Sequence, residues 1–409
     1  MDREEARRQL LEIYATALHA VAGDELVRNQ LLAKSIDAPC CVVTIGKAAE
    51  AMALGAQHAL GSQLQRGLLI TKHGYLSKPY DSRWECIEAG HPLPDDDSLH
   101  AGQRLLDFLH DTPYDSHLLF LISGGASALV EVLAEGVTPD VQQQINHWLL
   151  ASGLDIDAMN RVRKGISAIK AGRLASYLHD RHVTQLLLSD VPGDDLRVIG
   201  SGLLVPHTMS DITTDHLHLP EWIRDVLKKA PPLPAPEHFS QITTQLLASN
   251  HSARLAAQRE AEQRGFSVVM LDSDFQGDAA LVGNEFARTI LTGTSTLHIW
   301  GGESTVKLPL YPGRGGRCQQ LALSAAIPLS GSNCVLLAAG TDGSDGPGED
   351  AGALVDGGTV ERGELEGFSA PQALRGADAG TFLEASGDLI QTGPTGSNVM
   401  DLVLGLTGY

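Results

Sequence analysis

CCVVTIGKAAEAMALGAQHAL, residues 40–60, carries the pattern that decides the fold. A run of apolar and β-favouring residues proceeds without polar alternation, stops at Gly46, and gives way to an alanine-rich stretch with helical spacing. Such a run reads as a strand covered on both faces, and its break at glycine into a helix is half of a parallel βαβ unit. The same grammar recurs outward from it. GLLIT (67–71) and ECIEAG (85–90) read as strands, the latter followed by HPLPDDDS and the helix LHAGQRLLDFLHD. LLFLIS (118–123) breaks into GGASALVEVLA, a long helical segment is expected over roughly 155–178, and LLLSDV (186–191) is a further strand. Alternating strands and helices predict an α/β fold with a parallel sheet covered on both sides.

At 409 residues the chain suits two domains. PPLPAPEHF (231–239) has four prolines in six residues and reads as an extended spacer, which predicts a first domain over 1–235 and a second α/β domain over 240–409. Two points of this division stay open: the N-terminal helix, within 1–33, can pack on the second domain, and 240–295 can belong to either side. The net charge of −20 argues against a nucleic-acid partner but not against a small anion held by a few local cations. Five cysteines without a CxxC pattern, no signal-peptide core and no membrane-length apolar run lead to the expectation of a reduced, cytoplasmic protein. A homodimer is one assembly this reading allows.

The last quarter, from Gly301 onward, holds 22 of the 43 glycines. They cluster in GGEST (301–305), GRGGRCQQ (313–320), GTDGSDGPGEDAG (340–352) and TGPTGSN (392–398), beside charged and hydroxyl residues. Glycine permits tight turns and close approach of backbone N–H groups to a ligand, so convergence of the four would suit an anion. The binding candidates there are Gly301, Gly302, Glu303, Gly315, Gly316, Thr341, Gly343, Thr395, Gly396 and Asn398. In the first domain, Ser123, Gly124, Gly125 and Ser127 form a strand-to-helix turn that can cradle an anion, and Lys47 opens a helix after Gly46. Arg163 and Lys170, seven apart, are expected on one helical face. Asp190 ends a strand and is a candidate base or metal-linked carboxylate, while Asp342 and Asp345 are candidate Mg²⁺ ligands. A P-loop, a kinase motif set and a strand-linked GxGxxG are all absent from the sequence.

IGKAAEAMA, HPLPDDDS, LISGGASAL, NRVRKGISAIKAGRLA, SDVPGDDLRVIGSG, GGESTV, GRGGRCQQLALSAA, AAGTDGSDGP and TGPTGSNVMDL together resemble the class II glycerate kinases, over about residues 5–408. The resemblance implies a Rossmann-like N-terminal domain, a C-terminal MOFRL-type domain and a cleft between them. It implies phosphoryl transfer from Mg·ATP to glycerate, usually giving 2-phosphoglycerate, with Lys47 and Arg317 the leading catalytic candidates and Asp190 the third. The sequence departs from the family at three places. Ala126 replaces the third glycine of SGGGSAL; SGLLVPH, with Leu203, Leu204 and His207, replaces SGPTVPD; and Cys318 and Gln320 replace Asn and Glu in GRNQE. These leave open another small hydroxy or sugar acid as acceptor, or a non-catalytic nucleotide or sugar-acid sensor. A hydroxypyruvate reductase, an old label of some family members, is a third alternative but lacks a dinucleotide fingerprint.

Overall fold

The computed structural model describes residues 1–77, 80, 82–293 and 296–408. Two compact units emerge, Gly23–Leu247 (the first unit) and Met1–Ala22 with Ala248–Tyr409 (the second). No helix among the described residues is long and apolar enough to cross a membrane.

The first unit is built on β1 (Cys40–Ile45), β2 (Leu64–Lys72), β3 (Trp84–Ala89), β4 (His117–Ile122), β5 (Val183–Leu188) and β6 (Ile242–Ala248), in the order β3-β2-β1-β4-β5-β6. The pairings from β3 through β5 are parallel. This order reverses direction between β1 and β4, and ligands of open parallel sheets bind at the strand C-termini beside such a switch point. β1 is buried along its whole length, as its unbroken apolar run requires. Val43, Ile45, Phe120, Ile122 and Leu187 share one core. The helix Asp96–Asp111 starts on a reciprocal cap, Asp95 accepting from the Ser98 N–H while the Ser98 hydroxyl serves the Asp95 N–H.

Two expectations change here. The proline-rich stretch lies inside the first unit, because the strand after it, β6, adds to the sheet edge. The Arg173 guanidinium further ties the Pro231 and Pro232 carbonyls to the unit. The helix expected over 155–178 runs only from Ile156 to Gly165, and a short 3₁₀ turn covers Arg173–Tyr177. Between them Ala171 and Gly172 take positive φ. Arg173 Nη1 donates to the carbonyls of Lys164, Ser167 and Lys170, which takes over acceptors that a continuous helix would use internally.

The second unit carries β7 (Ser267–Met270), β8 (Phe275–Asp278), β9 (Thr296–Thr305), β10 (Val335–Gly340), β11 (Gly352–Asp356), β12 (Leu389–Ile390) and β13 (Asp401–Leu406). They form a mixed sheet, β12-β11-β10-β13-β9-β7, with β8 also on β9. β13 lies antiparallel to both β9 and β10, pairing Asp401 with Gly302 on one side and Gly340 on the other. That register brings the ends of β9 and β10 to the start of β13, so GGEST, GTDGSDG and the segment before Asp401 meet at one sheet end. The N-terminal helix Arg3–Ala20, capped by Asp2, belongs to this unit. Tyr14 is buried and donates to the Gly340 carbonyl at 2.7 Å, and Arg7 pairs with Asp356 and Asp388.

Candidate functional site

In the first unit the site starts at the ends of β1 and β4. Gly46 has φ +135°, and a methyl group there would stand 2.1 Å from Ser123 Oγ and 2.7 Å from the Ser123 carbonyl oxygen. The two strand ends can approach this closely only because residue 46 has no side chain. The Lys47 N–H donates to the Gly124 carbonyl (2.9 Å), and the Ala48 N–H donates to the Ser123 hydroxyl (3.1 Å). Ser123 is therefore a buried brace between the turns. Gly125 caps the following helix at φ 87°, and a methyl group there would meet the His91 ring at 3.1 Å and Lys47 Cγ at 3.4 Å. Lys47 and His91 thus flank the loop.

Beside this loop lies a cavity of about 150 Å³ lined by Gly125, Ser127, Asn146, Asn160, Arg163 and Ser201, among others. Arg163 donates to the amide oxygens of Asn146 (3.2 Å) and Asn160 (3.3 Å). Among the described residues no carboxylate lies within ion-pair range of it, and burial lowers its pKa. A half-buried guanidinium held by neutral amides is set up to receive an anion. Lys170 also lines the cavity, but it does not share a helix face with Arg163 as expected. It is buried against Glu131, which also accepts from the Ser167 hydroxyl. Asp190 follows β5, half-buried, and is not among the residues lining this cavity.

In the second unit the helix Arg317–Leu329 points its N-terminus into the converged loops. Arg317 grips Asp401 with two bonds, Nε to Oδ2 at 2.6 Å and Nη2 to Oδ1 at 2.9 Å, and its Nη1 reaches Glu303 at 2.8 Å. Burial works against the guanidinium charge, but Asp401, with Glu303 behind it, raises its pKa overall. Glu303, Gly315, Gly316 and Arg317 line a cavity of about 410 Å³ together with Val306 and Pro347. The 340–352 and 392–398 stretches pack against each other. A methyl group on Gly343 (φ +83°) would stand 2.0 Å from the Gly393 carbonyl, and Thr395 bonds the Thr341 carbonyl. The Thr341 hydroxyl donates to Met400 O and accepts from the Val399 N–H. Gly396 and the buried Asn398 belong to the same segment; Gly301 packs on Asn250 and Gly302 on Phe275.

The acidic loop differs from its expected use. Asp345 accepts the N–H groups of Cys318 (3.0 Å) and Gln319 (2.8 Å), one on each oxygen, so both are occupied by the helix N-terminus. One oxygen of Asp342 accepts from Ser344 N–H and hydroxyl. Both carboxylates thus already accept hydrogen bonds from the chain. Burial, and then the neighbouring Asp401 carboxylate, push Asp345 from an ordinary 3.8 up to about 7. Between those values the folded chain holds a proton that the unfolded chain has lost, so this group's contribution to stability falls as pH rises. Asp345→Asn, which keeps the uncharged form, should flatten the decline of Tm across that window; an unchanged slope would contradict it.

The departures from the family pattern also find places. Ala126 starts the helix after Gly125 and is buried in the core, so it carries no positive φ. Leu203 and Leu204 join the same core. His207 meets Lys164 Nζ at 3.1 Å. Burial pulls Lys164 down to about 8, although Asp211 and Asp195 oppose this. Gln320 donates to the Leu374 carbonyl, and Cys318 is buried. Arg317 keeps two carboxylates despite the glutamate lost at 320. Sequence reading missed Asp401, Asn146, Asn160, Glu131 and Ser201. Asp401 was within reach, since it stands in the quoted TGPTGSNVMDL.

Residues 9–224 match the family model described as a domain of unknown function, DUF4147, and residues 296–401 match the MOFRL family. The chain is 36% identical to the D-glycerate 2-kinase of Thermotoga maritima, over 99% of both chains. It is also 36% identical to a putative hydroxypyruvate reductase of Agrobacterium vitis, over 89% of this chain and 98% of that protein. A crystal structure of glycerate kinase from Thermotoga maritima superposes with a TM-score of 0.86 at 34% identity, covering 99% of this chain and 100% of the other. With both family models matched in order and relatives aligned along nearly its whole length, the chain belongs to the glycerate kinase family that carries the MOFRL domain.

Proposed function

We propose that this protein is an ATP-dependent kinase that transfers a phosphoryl group to D-glycerate, giving 2-phosphoglycerate. The observation that carries the reading is Arg163, a half-buried guanidinium held by Asn146 and Asn160 in a small cavity beside the Gly125 loop. A cavity near 150 Å³ is the size that accommodates a benzene-like ligand, and glycerate has a similar number of heavy atoms. The larger, partly apolar cavity at Arg317 suits a nucleotide, with the guanidinium at the phosphates. Glu303 and Asp342 are the carboxylates that would hold a magnesium ion accompanying ATP, which would supply positive charge at the phosphates; Asp345 already accepts from the helix N-terminus.

In this scheme the chain supplies positioning and charge. Arg163 holds the acceptor carboxylate. Lys47, flanking Gly125, neutralises charge on the transferring phosphoryl group, and Arg317 spreads charge on the nucleotide side. Asp190 remains the proposed acceptor for the hydroxyl proton. Lys47→Ala should reduce kcat/KM by more than tenfold while Tm stays within a few degrees, because Lys47 is only half-buried and the substitution keeps the backbone N–H bond to Gly124 that fixes the turn. Wild-type rates in this variant would remove Lys47 from the reaction.

A second reading has two supports. The strand order of the first unit is shared with dinucleotide-binding sheets, and a relative carries the name putative hydroxypyruvate reductase. The turn after β1 reads IGKAA, without the glycines that admit a pyrophosphate. The purified protein should release ADP from Mg·ATP in the presence of D-glycerate and leave NADH unconsumed with hydroxypyruvate. NADH consumption without ADP release would reverse the assignment; ATP binding with neither reaction would make the protein a sensor.

A further inference from the structure

Residues 200–202 hold three successive left-handed conformations, with φ of 56° at Gly200, 59° at Ser201 and 62° at Gly202. Glycine adopts this region freely, whereas a serine side chain there is strained. The turn is held in place, since the Ser201 carbonyl accepts from Ala171 (3.0 Å) and the Gly202 carbonyl from Gly172 (2.7 Å). As backbone, position 201 would be served better by a third glycine. Strain kept at one residue between two glycines asks what its side chain does.

The side chain lies in the acceptor cavity. Ser201 is buried, lines that cavity with Arg163, and also lines the neighbouring one that holds Lys164. Its hydroxyl lies 2.7 Å from the hydroxyl of Ser127, at the far end of the glycine loop. Two hydroxyls bring two protons, and the bond between them uses one. Among the described residues neither hydroxyl makes another side-chain hydrogen bond. The serine pair therefore presents an O–H donor in a cavity lined also by the Arg163 guanidinium and by Lys170, which is paired with Glu131; a hydroxyl donor beside a guanidinium suits an oxygen-rich anion.

We propose that Ser201 is a substrate-binding residue. Its hydroxyl, coupled to that of Ser127, donates to an oxygen of the hydroxy acid whose carboxylate is held by Arg163, and the left-handed strain at 201 is kept for that contact. The inference rests on the acceptor-site assignment made above.

The test is a pair of variants, Ser201→Gly and Ser201→Ala. Glycine removes both the strain and the hydroxyl; alanine removes the hydroxyl alone. Ser201→Gly should melt at or above the wild-type temperature and above Ser201→Ala. Calorimetric titration with D-glycerate should show weaker binding by about tenfold or more in both, as expected for a lost hydrogen bond to a charged ligand. KM for glycerate should rise in step while KM for ATP stays within twofold. Wild-type glycerate affinity in Ser201→Gly would overturn the proposal and leave Ser201 a structural residue, as would an equal rise in KM for ATP. If the wild type itself bound no glycerate, the acceptor-site assignment would fail, and this inference with it.

Discussion

Arg317→Ala should lower kcat/KM by roughly 10²-fold or more, the loss typical when a preorganised charge donor is removed from a reacting centre. The same substitution should also destabilise the second unit. Asp401 is 1% exposed, and both its oxygens are held by Arg317. Removing the guanidinium leaves a buried carboxylate beside Asp345, a situation that costs roughly 3–5 kcal/mol when a buried pair is broken from one side. The two effects are separable. Asp401→Asn added to Arg317→Ala should restore much of the lost Tm, because the orphaned charge is gone, and should restore none of the activity. Rescue of activity in the double variant would show that Arg317 acts only by keeping Asp401 in place. Arg317→Lys should resemble the alanine variant in rate, since a single ammonium cannot reproduce two parallel bonds to Asp401 and a third to Glu303.

Gly46→Ala should be the most damaging change in the first unit. The added methyl group would overlap the Ser123 hydroxyl at 2.1 Å and the Ser123 carbonyl oxygen at 2.7 Å, in a backbone conformation unfavourable for any side chain. The hydroxyl can rotate, but the carbonyl belongs to the end of β4 and cannot move without parting the two strands. A loss of about 3 kcal/mol or more is expected by urea unfolding, on the scale of strained and overpacked buried sites. Activity should fall with it, because the N–H of Lys47 is fixed to Gly124 across the same contact. A variant with wild-type stability would mean that the turn relaxes freely and does not set the position of Lys47.

What the sequence revealed and what it hid divide along contact range. The turns at Gly46–Lys47 and Ser123–Gly125 were legible because a strand, a glycine and a helix start are local patterns. The four glycine stretches were visible one by one, and their meeting depends on β13 lying between β9 and β10, which no local pattern encodes. Asp401 grips an arginine 84 residues away, and Glu131 reaches Lys170 across 39. The misplaced helix after Gly165 has a different origin. Its apolar spacing is helical, but Arg173 offers donors that compete for its carbonyls, a side-chain effect that periodicity does not register. Asp345 was read as a metal ligand from its loop; its use as a cap became visible only with the helix N-terminus in place. The proline-rich segment reads as a spacer by composition, yet β6 beyond it completes the first sheet.

The most direct test is ³¹P NMR of the purified wild-type protein with Mg·ATP and D-glycerate. A phosphomonoester signal matching 2-phosphoglycerate should grow in step with ADP, and omission of glycerate should abolish it. A spectrum in which ATP stays intact, or in which the phosphate appears on the 3-hydroxyl, would contradict the proposed reaction.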